Sequence, residues 1–163
     1  MAEILDIVNE KDEVIGQRER KDVHSSNLVH RGAHVFVFNS KGEILLQKRS
    51  MKKDKYPGFW GDMAGHVDSG DGYEETARRE LKEEIGIEAK LEFLMKFRKQ
   101  VENDQEIITV FKCNHEGPFR INREEIDEVR FFSPEEIRDM LGRGEKFAPG
   151  ARVALEEWLK SKN

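Results

Sequence analysis

The sequence is poor in cysteine and has no long apolar run. Its 163 residues include a single cysteine, Cys113, which excludes an intramolecular disulfide and any zinc site built from several cysteines. No apolar stretch approaches the ~18 residues that a membrane-spanning helix needs, so we expect no membrane contact. The acidic residues 1–6 lack the basic and apolar regions of a signal peptide, and we expect a cytoplasmic protein.

An excess of positive charge is also missing. The chain has 28 Lys and Arg against 33 Asp and Glu, and this balance argues against bulk binding of nucleic acid by phosphate neutralisation. Apolar and charged residues each make up 37% of the chain, which fits a folded domain with a strongly ionised surface. At this length we expect one main domain, in a monomer or a homodimer.

Apolar patterning predicts the α/β (α+β) class. Short strands at residues 5–8 and 14–16 predict an N-terminal hairpin, which we expect to add an edge to the main sheet, and a polar connection runs on through His24. Further strands are predicted at residues 35–38, 44–46, 87–93, 107–111 and 129–132, and helices at residues 71–85, 134–141 and 153–159. This order predicts a mixed sheet with helices on both sides.

The helix predicted at residues 71–85 is unusually rich in carboxylates. Glu80, Glu83 and Glu84 stand at positions i, i+3 and i+4 and therefore share one face. Because like charges at that spacing repel each other on an isolated helix, helix stability does not explain the cluster. Two explanations remain, a solvated face or a site for Mg²⁺, which takes carboxylate oxygens together with water and phosphate oxygens.

The surrounding residues favour the metal site. Gly65 is followed after five residues by Asp71, and after seven more by the run RELKEEIGI at residues 79–87. This pattern resembles the Nudix box, G-x5-E-x7-R-E-U-x-E-E-x-G-U with U an aliphatic residue, except that Asp71 replaces the first Glu. By average residue usage, the six matching Gly, Arg and Glu positions occur together by chance in fewer than about one in 100,000 such chains.

The resemblance implies a Nudix-type α/β/α sandwich at residues 31–163, preceded by the hairpin arm at residues 1–30. It also implies a hydrolase that uses Mg²⁺ or Mn²⁺ to cleave a diphosphate linked to another group. The implied metal ligands are Glu80, Glu83, Glu84 and the main-chain carbonyl of Ala64. The implied structural residues are Gly65, Asp71, Arg79 and Gly86. The general base is Glu80 or Glu106, and we favour Glu106 slightly.

Residues 4–150 are also similar to type I isopentenyl diphosphate isomerase, a relative built on the same fold. The similarity rests on residues 6–9, 30–31, 57–60 and 65–66. It implies a second candidate metal site at His24, His30, His66, Asp104 and Glu106. The alternative is that these histidines make hydrogen bonds or contact phosphate. The isomerase has a catalytic Cys where this chain has Ala64, whose methyl group carries no transferable proton, so we expect hydrolysis rather than isomerisation.

The loop before Pro57 is basic and is the candidate phosphate-binding segment. Arg49 and Lys53 match diphosphate-binding positions of the isomerase relatives, and the alternative is a solvated basic loop. Trp60 either stacks on a substrate base or packs in the core. The expected partner is a small-molecule diphosphate, with nucleoside di- or triphosphates as the first choice. An isomerase-like enzyme and a non-catalytic ligand-binding module are the competing hypotheses.

Overall fold

A computed structural model describes residues 3–101 and 104–162. In chain order the elements are β1 (Ile4–Val8), β2 (Val14–Glu19), α1 (Arg20–Ser25), β3 (Val29–Phe38), β4 (Ile44–Arg49), β5 (Trp60–Gly61), β6 (Met63–His66), α2 (Tyr73–Ile85), β7 (Glu92–Val101), β8 (Asp104–Asn114), β9 (Ile126–Phe132), α3 (Pro134–Gly142) and α4 (Pro149–Ser161). None of these helices combines the length and apolar character needed to cross a membrane.

A seven-stranded mixed sheet forms the centre of the molecule. β3 pairs in parallel with β8 and antiparallel with β4 and β6, while β7 and β9 extend the sheet beyond β8 and β4. One cluster of buried apolar side chains lies between the sheet and α2, and a second lies between the sheet and the pair α3 and α4. The predicted sandwich with a mixed sheet is therefore confirmed.

The sheet opens between β3 and β4, and residues 60–66 fill the opening. β3 and β4 pair at Phe38 and Ile44. Beyond that point β5 pairs with β4 and β6 pairs with β3. Asp62 lies between β5 and β6, at the point where the chain stops pairing with β4 and starts pairing with β3. Residues 60–66 therefore run through the middle of the sheet and lead into the loop before α2.

Side chains alternate along each strand, so neighbouring residues lie on opposite faces of this sheet. On β3, the side chains of Val35 and Val37 join the cluster under α2, whereas Phe36 joins the cluster under α3 and α4. His34 also points to the second side, where its ring lies against Gly150 of α4. We call these sides the α2 face and the α4 face.

α2 forms where the sequence predicts a helix, two residues later than expected. Ala77, Leu81 and Ile85 recur every four residues and are buried on the α2 face. The helix ends at Gly86, whose φ of 69° is left-handed, and a Cβ atom there would lie 3.1 Å from the carbonyl oxygen of Arg120. Glycine at position 86 therefore ends the helix and lets the chain pass close to its neighbour.

Three local predictions differ from the structure. β1 and β2 form a sheet of their own instead of an edge of the main sheet, because the apolar side of β1 packs with Val23. Val23 belongs to α1, which replaces the polar connection predicted around His24. The strand predicted at residues 87–93 begins only at Glu92. The alternating Ile87 and Leu91 instead pack as irregular chain against the cluster under α2.

The hairpin is fixed to the main sheet through Asp12. Its carboxylate accepts hydrogen bonds from Arg31 at 2.8 Å, from Lys96 at 2.5 Å and from Tyr73, at the start of α2, at 2.9 Å. Burial alone would raise the pKa of Asp12, but these hydrogen bonds lower it below the ordinary value. The ionised carboxylate therefore stabilises the fold.

Asp12→Asn is expected to lower the free energy of unfolding at pH 7 by about 2–3 kcal/mol, because it removes hydrogen bonds between charged groups that are largely buried. Asparagine tolerates the left-handed φ of 62° at this position, so the change tests the charge and not the backbone. Urea denaturation measures the effect, with the exposed Asp127→Asn as control. Equal stability of the two variants would contradict the assigned role.

Candidate active site

α2 directs two of its glutamates towards β6. Glu80 and Glu84 are half-buried, whereas Glu83 is exposed. The side chain of Glu80 lies directly over Gly65, where a Cβ atom would come within 2.4 Å of Glu80 Oε1. Glycine at position 65 therefore allows Glu80 to approach the strand that carries the main-chain carbonyl of Ala64.

Positive charge compensates the carboxylates on this face only in part, since Arg79 lowers the pKa of Glu80 but burial and like charge outweigh it. Burial and the charges of Glu80 and Asp62 raise the pKa of Glu84 well above its ordinary value. Burial and the charge of Glu83 raise the pKa of Glu80 to about 7. Both shifts arise because ionised carboxylates are crowded together in a partly buried place. A divalent cation bound here would relieve that crowding, so the donor set fits Mg²⁺ or Mn²⁺.

The loop between β6 and α2 is fixed to the helix by a charge pair. Asp71 accepts a hydrogen bond from Arg79 Nη1 at 3.0 Å, and Asp68 lies 3.6 Å from Arg79 Nη2. The shorter carboxylate that replaces the Glu of the motif thus still reaches the arginine. This contact holds the loop against the helix turn that carries Glu80.

Two polar residues outside the motif share the same space and were missed by the sequence reasoning. Gln47 of β4 donates a hydrogen bond to Glu84 Oε2 at 3.1 Å. Glu125, just before β9, adds a negative charge that raises the pKa of both Glu80 and Glu84. Neither residue has a fixed sequence spacing to the motif, because the pairing of β4 with β9 brings them there.

The two predicted phosphate-binding residues lie near these carboxylates. Lys53 donates a hydrogen bond to Glu125. Arg49 donates through Nη2 to the carbonyl oxygen of Lys55 at 2.8 Å and through Nε to that of Tyr56 at 3.2 Å. Arg49 therefore shapes the basic loop, and the Lys53 ammonium group is the cation aimed at the carboxylates.

The Trp60 ring does not lie beside the α2 glutamates. Its ring lies on the α4 face, 7% exposed and 5.2 Å from the ring of Phe132 in an edge-to-face arrangement. Lys48 and Arg130 lie over the Trp60 ring. Of the two sequence-based alternatives, core packing therefore describes Trp60. Stacking of Trp60 on a substrate base stays a prediction.

The histidines of the second candidate site converge on the α4 face. The ring centroids of His24, His30 and His66 lie 5.1–5.6 Å apart. Nδ1 of His24 lies 3.1 Å from the carbonyl oxygen of Arg20, and Nδ1 of His30 lies 3.2 Å from that of Leu28. A carbonyl only accepts hydrogen bonds, so both Nδ1 atoms carry the proton. Both Nε2 atoms are then free to bind a metal.

Two carboxylates complete this cluster. His30 Nε2 lies 3.8 Å from both Asp104 Oδ1 and Glu106 Oε1. Within the described chain, the buried atoms His30 Nε2 and Asp104 Oδ1 have no hydrogen-bond partner. Lys99 donates to the other oxygen of each carboxylate, at 2.5 Å and 2.8 Å. The two oxygens that face the histidines are therefore the ones left for a metal.

The charge states also suit metal binding. Burial lowers the pKa of His66 to about 3, so its imidazole is neutral at physiological pH. Burial opposes ionisation of Glu106, but the charge of Lys99 outweighs it and lowers the pKa of this carboxyl. Metal ligands must be neutral imidazoles and ionised carboxylates, and His66 and Glu106 meet these conditions.

Glu106 is separated from the α2 glutamates by the sheet. It approaches Gly32 on β3 and hydrogen-bonds to Lys99, on the side of the sheet that faces α4. The slight preference for Glu106 as general base stays a prediction, with Glu80 as the predicted alternative, and Glu125 is a further carboxylate on the α2 face. In residues 3–101 and 104–162, groups of at least three residues with ligand atoms within 4.8 Å of one another are His24, His30, His66 and His30, Asp104, Glu106, and the α2 glutamates form no such group.

Comparisons with known proteins place this geometry in a family. The model of the NUDIX domain matches residues 28–153. An uncharacterised Nudix hydrolase of Yersinia pestis is 39% identical over 166 residues, covering 100% of this chain and 89% of the relative. The uncharacterised Nudix hydrolase YfcD of Escherichia coli strain K12 is 37% identical over 162 residues, covering 98% of this chain and 88% of YfcD.

A solved structure shows the same architecture over nearly the whole chain. The crystal structure of DR0079 from Deinococcus radiodurans superposes with a TM-score of 0.83 at 27% identity, covering 95% of this chain and 98% of DR0079. The family match spans well over half of the chain and includes α2 with its carboxylates. The protein described here is a member of the Nudix family.

Proposed function

We propose that this chain is a metal-dependent hydrolase that cleaves a diphosphate linkage in a nucleoside diphosphate-type substrate. One observation carries the proposal: Glu80 and Glu84 are partly buried and crowded, with pKa values raised by burial and like charge, beside a loop that presents Lys53. A purely solvated helix face would not hold two carboxylates in this state. Membership of a family named for hydrolases supports the same conclusion.

The residues divide into those that hold a metal and those that act on the substrate. Glu80, Glu83, Glu84 and the carbonyl oxygen of Ala64 would hold Mg²⁺ or Mn²⁺. Such an ion neutralises phosphate charge and makes a bound water more acidic. Lys53 would attract the anionic diphosphate by charge towards the metal that these carboxylates would hold. Arg49 keeps the loop that carries Lys53 in place.

Proton removal from the attacking water requires a base on the α2 face. Glu80 is the first candidate, because its carboxylate lies directly over Gly65, next to the strand that carries the Ala64 carbonyl, and carboxylates commonly act as general bases. Glu125 is the second candidate, since its charge acts on the same carboxylates. The proton would pass from water to a carboxylate oxygen and leave with the phosphate product.

We also propose that the histidine cluster holds a second ion of transition-metal type. His24, His30, His66, Asp104 and Glu106 would be its ligands, and imidazole together with carboxylate suits zinc, iron or manganese. The two buried, unpartnered atoms His30 Nε2 and Asp104 Oδ1 support a bound cation over a hydrogen-bonding role, because buried polar atoms normally have partners.

The similarity to the isomerase extends to the fold, and we do not extend it to the isomerase reaction. Isomerisation by the isomerase mechanism needs a thiol at the place of Ala64. Cys113 does not replace it, because this side chain lies in the core of the α2 face, across the sheet from the histidines, and burial raises its pKa to about 11. We therefore expect no proton exchange into isopentenyl diphosphate.

A panel of diphosphates tests the proposal. Nucleoside di- and triphosphates, nucleotide sugars, dinucleotide coenzymes and prenyl diphosphates are incubated with the protein and Mg²⁺ or Mn²⁺, and the products are identified by mass spectrometry. We expect metal-dependent release of phosphate or of a mononucleotide from at least one class. Tight binding across the panel with no turnover would favour the non-catalytic module and reject the hydrolase.

A further inference from the structure

Gln47 occupies a special position in the opened sheet. It lies on β4 opposite Gly61, next to the place where the chain changes its pairing at Asp62, and it is 5% exposed. Its amide nitrogen donates to the carbonyl oxygen of Asp62 at 2.9 Å and to Glu84 Oε2 at 3.1 Å. A side-chain amide nitrogen carries two hydrogens. The two oxygens, together with the weaker acceptor Met63 Sδ at 3.5 Å, fix the orientation of the amide.

Asp62 offers Gln47 its main-chain carbonyl, and its carboxylate is held by a residue on the α4 face. His34 Nδ1 lies 2.7 Å from Asp62 Oδ2, and both side chains are buried. The ring of His34 is enclosed by Gly150 at the start of α4. The main chain at Asp62 is therefore a fixed point at the centre of the molecule, and Gln47 connects it to Glu84.

We propose that Gln47 is a positioning residue for Glu84. By holding Oε2, it leaves Oε1 as the oxygen that Glu84 would present to the metal. This inference rests on the proposed hydrolase function and deepens it. Glu80 is placed by its close packing over Gly65, and Glu83 is exposed. Glu84 is placed by a polar contact, the hydrogen bond from Gln47. Partners that orient a metal ligand typically contribute 10–100-fold to metal affinity or activity.

Gln47→Met tests the inference, because methionine keeps the length of the side chain and removes the donor. Gln17→Met is the matched control, since Gln17 also donates its amide to a carboxylate, that of Asp6 at 3.2 Å, but away from the site. Mn²⁺ affinity without substrate is measured by electron paramagnetic resonance, and kcat and KM are measured on the best diphosphate of the panel. We expect Gln47→Met to weaken Mn²⁺ binding about 10–100-fold and to lower kcat similarly, with KM changed less than about twofold. Gln17→Met should match the wild type.

The other outcomes are decisive as well. If Gln47→Met binds Mn²⁺ and turns over like the wild type, or only lowers the melting temperature, Gln47 is structural and the inference is overturned. Should Gln47→Met fail to fold, Gln47→Asn takes its place, because it keeps a buried amide but withdraws it from Glu84, and the same losses are expected. A wild type that neither binds Mn²⁺ nor hydrolyses any diphosphate would overturn the proposed function, and this inference with it.

Discussion

Replacing Glu84 with glutamine should reduce kcat for diphosphate hydrolysis by about 10²–10³-fold, the scale on which single electrostatic contacts to a transition state act. Glutamine has the size of glutamate, and its amide oxygen can still accept the hydrogen bond from Gln47. The change therefore removes a charge and little else. Steady-state phosphate release with saturating Mg²⁺ measures the effect.

The matched control for this change is Glu74→Gln. Glu74 lies on the same helix, is exposed and pairs with Arg78 at 3.0 Å, an interaction that contributes only about 0.3–0.5 kcal/mol. Its loss should leave turnover unchanged. If Glu84→Gln and Glu74→Gln turn over equally well, the assignment of Glu84 to the metal fails, even if the protein hydrolyses diphosphates.

The same substitution should stabilise the metal-free protein. The folded-state pKa values of Glu80 and Glu84 lie above the ordinary value of 4.5, so the folded state holds these protons to higher pH than the unfolded chain does. Stability in chelator therefore falls as pH rises from about 4.5 through 7. Glu84→Gln should reduce this fall and raise the free energy of unfolding at pH 7, because it removes a buried charge that the metal-free fold destabilises. Urea denaturation at pH 5 and pH 7 measures both effects, and an equal fall in the two proteins would contradict the assigned crowding.

The helix with its carboxylates could be predicted from the sequence because its determinants are local. Ala77, Leu81 and Ile85 define the buried stripe, and the spacing of Glu80 and Glu84 places them on one side of it. Such relations depend on helix geometry alone. The bounds of α2 were correspondingly accurate to two residues at its start.

The composition of each face could not be predicted, because it depends on strand pairing. Gln47 reaches Glu84 only because β4 and β3 diverge and residues 60–66 enter between them. The register of β8 against β3 places the Glu106 side chain on the α4 face. The number of residues between Glu106 and α2 does not reveal this. Residues on different strands have no fixed separation in sequence, so their meeting is a property of the topology.

The alternation at Ile87 and Leu91 shows a different limit. Period-two apolar residues usually indicate a strand, but here they follow Gly86, whose left-handed backbone turns the chain back beneath α2. Burial of both side chains in the core produces the same pattern without sheet pairing. A hydrophobic pattern reports which side chains are buried, and it reports the backbone conformation only indirectly.

The second large effect is expected at the histidine cluster. Wild-type protein freed of metal should bind one Zn²⁺ per chain in calorimetry, in addition to any Mg²⁺ site. His30→Ala should weaken that binding by more than about 100-fold, since it removes a ligand outright, and loss of a residue that only orients a ligand already costs about 10–100-fold. His24→Ala, at a less buried position, tests the same site with less risk to the fold.

The control for surface histidines is His115→Ala, because His115 lies against Phe119 and outside the cluster. This variant should bind Zn²⁺ like the wild type, and an equal loss in His115→Ala and His30→Ala would contradict the site. Since the sheet separates the histidines from the α2 glutamates, Glu84→Gln should leave Zn²⁺ affinity unchanged within about twofold, as expected for independent sites. Conversely, His30→Ala should leave Mn²⁺ binding at the α2 face intact. A loss at both places from either substitution would mean that the two groups of ligands hold one shared centre.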